Sequence, residues 1–153
     1  MDIFEAARTN NIDELKIALQ TTDVNAKDGR GSTALIIAAY YNNIEAVKAL
    51  IDACADLELP DGMGNSALMG VCFKGYTEVA GLLLNSGASV ATKNADNSTA
   101  LIFAATFGHN ALIKLLLAHG ANPQLPDRFG KNAIEYARVK ANAEGYEMLV
   151  DAI

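Results

Sequence analysis

The chain repeats itself every 33 residues. Asp28, Asp61, Asn94 and Asp127 share one register, as do Gly31, Gly64, Asn97 and Gly130. Thr33, Ser66, Thr99 and Asn132 form a third column. Ala34, Ala67, Ala100 and Ala133 form a fourth, and Leu35, Leu68, Leu101 and Ile134 a fifth. Several independent columns held over four copies mean that one small unit recurs. Such a unit cannot bury its apolar face alone and must stack on its neighbours.

Each column has a physical meaning. Thr, Ser and Asn are good helix N-caps. The alanine and aliphatic residue that follow each of them start a short helix. Leu35, Ala38 and Ala39 lie on one helical face, and the alanines let neighbouring helices approach closely. A second helix follows, carried by Ile44, Val47, Leu50 and Ile51 in one copy and by Leu112, Ile113, Leu115, Leu116 and Leu117 in another. That aliphatic density predicts burial on more than one side. Asn42, Gly75 and Gly108 separate the helices and tolerate positive φ. Gly87 and Gly120 read as residues closing the second helix. Cys54 stands in that same column.

The pattern resembles the ankyrin repeat, whose motif runs D-x-x-G-x-T-P-L-H-x-A-A-x-x-G-H and continues into a V-V-x-L-L-L-x-x-G-A-D-V-N-A helix and loop. Asn94 to Ala121 and Asp28 to Asp56 match best. Residues 3–27 look like a shortened first repeat, with Ala6-Ala7, Asn10-Asn11, Glu14-Leu15-Lys16 and Asp23-Val24-Asn25-Ala26 in place. The resemblance implies an all-α solenoid of stacked helix-turn-helix units joined by short β-turn or hairpin loops. It implies a single domain over residues 1–153, divided near 1–27 (the N-terminal cap), 28–60, 61–93, 94–126 and 127–153 (the C-terminal cap). It departs from the family in one place: the proline of T-P-L-H is alanine in all four copies, and its histidine is Ile36, Met69, Ile102 or Glu135. Apolar contacts are expected to replace the threonine–histidine bonds in three repeats. Glu135, Arg138, Lys140 and Glu144 give the last repeat a polar, water-facing end.

The residues that could carry chemistry read as structural. His109 matches the G-H of the motif and is expected to bridge adjacent repeats. His119 precedes the Gly120 cap, where a partly positive ring suits a helix end. The two cysteines, Cys54 and Cys72, and the two histidines have no metal-ligand spacing. Cys72 replaces Ala39 and Ala105 and reads as a core residue, and both thiols are expected to be free. The segments Asp28 to Thr33 and Asp61 to Ser66 are glycine-rich but lack the lysine of a phosphate loop, so they read as turns. The aspartates that open them read as turn carboxylates. No catalytic residue, metal ligand or cofactor is expected, and the chain is not expected to be an enzyme.

Charge and hydropathy bound the partner. A net charge of −6 disfavours a phosphate backbone and favours a basic protein, so no nucleic-acid partner is expected. No run approaches the length of a membrane span, so no membrane association is expected. The first residues, Met1-Asp2-Ile3-Phe4-Glu5, lack the regions of a signal peptide. A cytoplasmic protein is expected, or a periplasmic or secreted one if a leader has been removed.

In the ankyrin family the concave groove is lined by the loop tips and by the ends of the first helices. The resemblance therefore places Tyr40, Tyr41, Phe73, Lys74 and Phe107 at helix ends, and Arg30, Met63 and Phe129 at loop tips. Five of the ten aromatic residues thus fall where solvent is expected. Aromatics at such positions point to a contact surface. Tyr41, Phe73 and Phe107 are the expected anchors along one strip, with Tyr40, Met63 and Phe129 beside them. The expected role is binding one partner protein by a chain that is monomeric when free. That partner could be a basic enzyme, held by an inhibitor or self-protection protein; the alternative is a scaffold or adaptor linking proteins.

Overall fold

The structure, a computed structural model, describes residues 1–153. Ten short helices follow one another as five antiparallel pairs: α1 (Ile3–Thr9) with α2 (Ile12–Ala18), α3 (Ala34–Tyr40) with α4 (Ile44–Asp52), α5 (Ala67–Lys74) with α6 (Thr77–Asn85), α7 (Ala100–Thr106) with α8 (Asn110–Ala118), and α9 (Ala133–Val139) with α10 (Ala143–Asp151). The first helix of each pair packs on the first helices of its neighbours, and the second helices do likewise, giving two parallel layers. No strand forms. The loops make turns, with one isolated antiparallel bridge between Lys27 and Thr33.

The first helices start where the sequence places their caps. The side chains of Thr33, Ser66, Thr99 and Asn132 accept from the backbone N–H three residues on, at 3.0–3.3 Å. The second helices α4 and α8 start differently. Their cap residues Asn43 and His109 make no such bond and reach back to the preceding repeat instead. Asn43 Nδ2 donates to the Ala7 and Arg8 carbonyls at 2.8 and 2.7 Å, and the His109 Nε2–H donates to Phe73 O at 3.1 Å. One orphan N–H of α4, that of Ala46, is satisfied across the interface by Asn10 Oδ1 at 3.0 Å. Cap interactions here hold repeats together.

The core runs the length of the stack. Ala34, Ala67, Ala100 and Ala133 on the first helices, and Leu50, Leu83, Leu116 and Leu149 on the second helices, are all buried. Met69 and Ile102, at the motif's histidine position, are buried too, while Ile36 is half-buried. Truncating one of the buried leucines to alanine costs about 2–5 kcal/mol. With only nearest neighbours touching, the stability of the stack is a sum of such local terms.

The inter-repeat turns are built alike. Asp28, Asp61, Asn94 and Asp127 each use one side-chain oxygen, Oδ1, to accept from the backbone N–H groups two and four residues on, at 2.9–3.1 Å. They are turn-forming groups, as their spacing indicates. The turns also touch: Ala95 N–H donates to Met63 O at 3.2 Å, and Arg128 N–H donates to Asp96 O at 2.8 Å. This stacking requires Gly64, where a Cβ would lie 2.8 Å from the Ala95 nitrogen.

Candidate protein-binding face

The ends of the first helices and the turns beside them form one face of the stack. Tyr40, Tyr41, Phe73 and Phe107 are 39–54% exposed there, and Met63 and Phe129 at the turn tips are 68% and 65% exposed. Lys74 and Arg30 are exposed as well.

The rings are not arranged as one strip through Tyr41. Phe73 and Phe107 meet edge to face with centroids 4.8 Å apart, and Phe73 also meets Phe103 edge-on at 6.5 Å. Tyr41 instead packs edge-on against Tyr40 at 5.9 Å. Register explains the difference. Tyr40 and Phe73 are one repeat apart, whereas Lys74 stands between Tyr41 and Phe107 in their column. The Lys74 ammonium lies 4.9 Å from the centre of the Tyr40 ring, a cation–π contact.

Tyr40 and Phe73 therefore share a groove of about 400 Å³, together with Ile36, Met63, Met69 and Phe103. Gly70, Asp61 and Asp96 also line it. Gly70 belongs to the column Ile37, Gly70, Phe103 and Tyr136, and so contributes no side chain where its equivalents do. Phe103 and Gly70 are groove residues that sequence reasoning missed. The missing side chain in that column was the available signal. Tyr41 and Arg30 line a neighbouring depression with Arg8, Asp28 and Ile37, and Ile36, Tyr40 and Asp61 are shared by the two. Phe129 stands apart and carries the Arg128 guanidinium 4.8 Å from its ring centre. Arg128 also pairs with Asp96 at 3.1 Å.

Cys72, Asp127, Tyr136 and His119 are held in structural roles, while the Cys54 thiol is free and exposed. Burial pushes the Cys72 thiol up to about 12, so it stays protonated. Asp127 is buried and accepts from the Tyr136 hydroxyl on Oδ2. Burial alone would raise its pKa. The Tyr136 phenol, the N–H groups of Lys131 and Phe129, and the Lys131 charge together hold it below the ordinary carboxylate value. The same bond, then burial, pushes Tyr136 up to about 12. His119 Nδ1–H donates to Leu115 O within its own helix at 3.0 Å. No three His, Cys, Asp or Glu side chains converge on a common point, and no helix is long and apolar enough to cross a membrane.

Comparison with known proteins agrees with this architecture. A family model described as ankyrin repeats in three copies matches residues 3–94, and a second, of many copies, matches residues 74–137. The chain is similar to ankyrin repeat domain-containing protein 29 of Danio rerio, at 41% identity over 37% of this chain and 20% of that protein. It is 40% identical to the Homo sapiens protein of the same name over 37% of this chain and 19% of the relative. It is also 40% identical to the putative ankyrin repeat protein YahD of Escherichia coli (strain K12), over 37% of this chain and 28% of the relative. The chain thus matches less than a third of the length of each of these relatives. Ankyrin repeats form a non-catalytic fold for protein–protein interaction, and with its repeats, caps and stacked turns this chain belongs to the ankyrin-repeat family.

Proposed function

We propose that the chain binds one partner protein through the first-helix face, with Phe73, Phe107 and Tyr40 at the centre of the contact and Tyr41, Met63, Lys74, Arg30 and Phe129 around it. The observation that carries this reading is the concentration of half-exposed rings on one face, with Phe73 and Phe107 in mutual contact. Covering the exposed half of such a ring is worth about 1 kcal/mol, which a partner recovers. Rings gathered on one face favour one dedicated partner over a scaffold that holds two proteins.

The net charge of −6 favours a basic partner. A small acidic chain covering a basic enzyme acts as an inhibitor or self-protection protein in the cytoplasm, and we take the free chain to be a monomer. The test is to isolate the bound protein from the native source with the wild-type chain, then measure its affinity for Phe73→Ala, Phe107→Ala and Tyr41→Ala. Losses of about 2 kcal/mol or more for the two phenylalanines support the reading. Unchanged affinity in all three variants overturns it. A one-to-one complex that stops an activity supports inhibition, and a complex holding two different proteins supports the scaffold.

A further inference from the structure

In the last repeat, the Tyr136 hydroxyl closes onto Oδ2 of Asp127. The same position two repeats earlier is Gly70, and the same carboxylate is Asp61. Asp61 makes its two turn bonds through Oδ1, to the Met63 and Asn65 N–H groups at 2.9 Å. Asp61 lines the groove, and also the neighbouring depression of Arg8 and Arg30, and Gly70 carries no side chain to reach its second oxygen. A donor is missing there, together with the side chain that would carry it.

We propose that this groove receives an arginine side chain of the partner protein, its stem over Gly70 between Tyr40 and Phe73 and its guanidinium on Asp61. The inference rests on the partner-binding reading above and names the chemistry it recognises. Charge complementarity selects the guest: the two charged residues lining the groove, Asp61 and Asp96, are both acidic, and Asp61 is the one without an ion pair, since Asp96 already pairs with Arg128. The chain holds its own cations in the same way. Arg128 lies over Phe129 while pairing with Asp96, and Lys74 lies over Tyr40. A planar guanidinium can stack on a ring and pair with a carboxylate at once, which an ammonium does less well.

Two substitutions separate the groove from the fold. Asp61→Asn keeps the turn, because Asn94 makes the same two bonds through its Oδ1 at 2.9 Å. Gly70→Tyr fills the groove with the equivalent of Tyr136. The new Cβ meets only Tyr40 Cδ2, at an ordinary 3.9 Å.

The probes are pentapeptides of the form acetyl-Gly-Gly-X-Gly-Gly-amide with X as Arg, Lys, norleucine or Tyr, titrated into the nitrogen-15-labelled chain. The arginine peptide should shift the amides of Asp61 to Phe73 and bind more tightly than the other three. Asp61→Asn should weaken it by about fivefold, and Gly70→Tyr should abolish it, with the melting temperature unchanged in the first. Equal binding by norleucine or tyrosine, no shifts at the highest concentration reached, or no effect of Asp61→Asn overturns the site. If Gly70→Tyr fails to fold, Asp61→Asn alone decides. A partner that needs Phe73 and Phe107 but ignores both substitutions refutes the arginine site and leaves the partner-binding reading standing; one indifferent to all four residues refutes both.

Discussion

The imidazole of His109 fills the space that a side chain on Gly75 would occupy: a Cβ there would lie 2.8 Å from its Cε1 and 2.9 Å from its Nδ1. Gly75 also has φ of +86°. Its lack of a side chain serves both the left-handed helix end and the ring that ties α8 to Phe73.

Gly75→Ala should therefore destabilise by more than the backbone cost alone, about 2–3 kcal/mol. Gly108 is the control. It has φ of +70°, and a Cβ there meets nothing within 4 Å. Gly108→Ala should cost only the left-handed penalty, about 1 kcal/mol. Urea unfolding of the two variants checks the difference, and equal losses would show that His109 moves aside freely.

Cys54 and Ala141 bear the converse strain. They sit at φ of +64° and +55°, in columns whose other members are Gly87 and Gly120 for Cys54, and Asn42, Gly75 and Gly108 for Ala141, all with positive φ. Cys54 is exposed, so its thiol offers little packing in return. Cys54→Gly and Ala141→Gly should each stabilise by up to about 1 kcal/mol, the gain being reduced by glycine's greater freedom in the unfolded chain. Thermal unfolding is the measurement, and a loss above about 1 kcal/mol in either would mean that the side chain packs usefully.

The Asp127–Tyr136 pair gives the C-terminal repeat a pH dependence. The Asp127 pKa is lowered on folding, so its contribution is complete above the unfolded value of about 3.9 and disappears as pH falls through the lower folded value. Tyr136 is raised to about 12, so its contribution is complete below about 10 and disappears as pH rises toward 12. Tyr136→Phe should cost about 1.5 kcal/mol at pH 7 and flatten the alkaline limb of the stability profile. Stability measured against pH for both chains, with tyrosinate absorbance read near pH 12, checks this.

Helix positions, caps and turn carboxylates were legible in the sequence because each rests on one residue type acting over three or four positions, repeated in several copies. Thr33 and its equivalents cap their helices, and Cys54 adopts the glycine conformation of its column. The site was legible only as a face. Tyr41 and Phe107 share a column, but contacts pass between adjacent repeats, so Phe73 meets Phe107 while Tyr41 meets Tyr40. Ala141 was not flagged, although it stands in the column of Asn42, Gly75 and Gly108 and shares their left-handed backbone. The groove over Gly70 depends on a side chain that is absent, and its meaning emerges only when Tyr136 is seen on Asp127.

The rings on the binding face differ in how much they hold the fold. Phe73 is 39% exposed and touches both Phe103 and Phe107, so Phe73→Ala should cost about 1–2 kcal/mol of stability as well as affinity. Tyr41 is 54% exposed and touches one ring, so Tyr41→Ala should change stability by no more than about 0.5 kcal/mol. Leu116, fully buried on α8, sets the scale: its truncation should cost about 2–5 kcal/mol. A double-mutant cycle on Phe73 and Phe107 should give a coupling of about 0.5–1.5 kcal/mol, the range for edge-to-face rings. Denaturant unfolding of the single and double variants measures all four quantities. Coupling near zero would mean that the two rings turn away from each other in solution, and the face would then present two separate anchors in place of one joined pair.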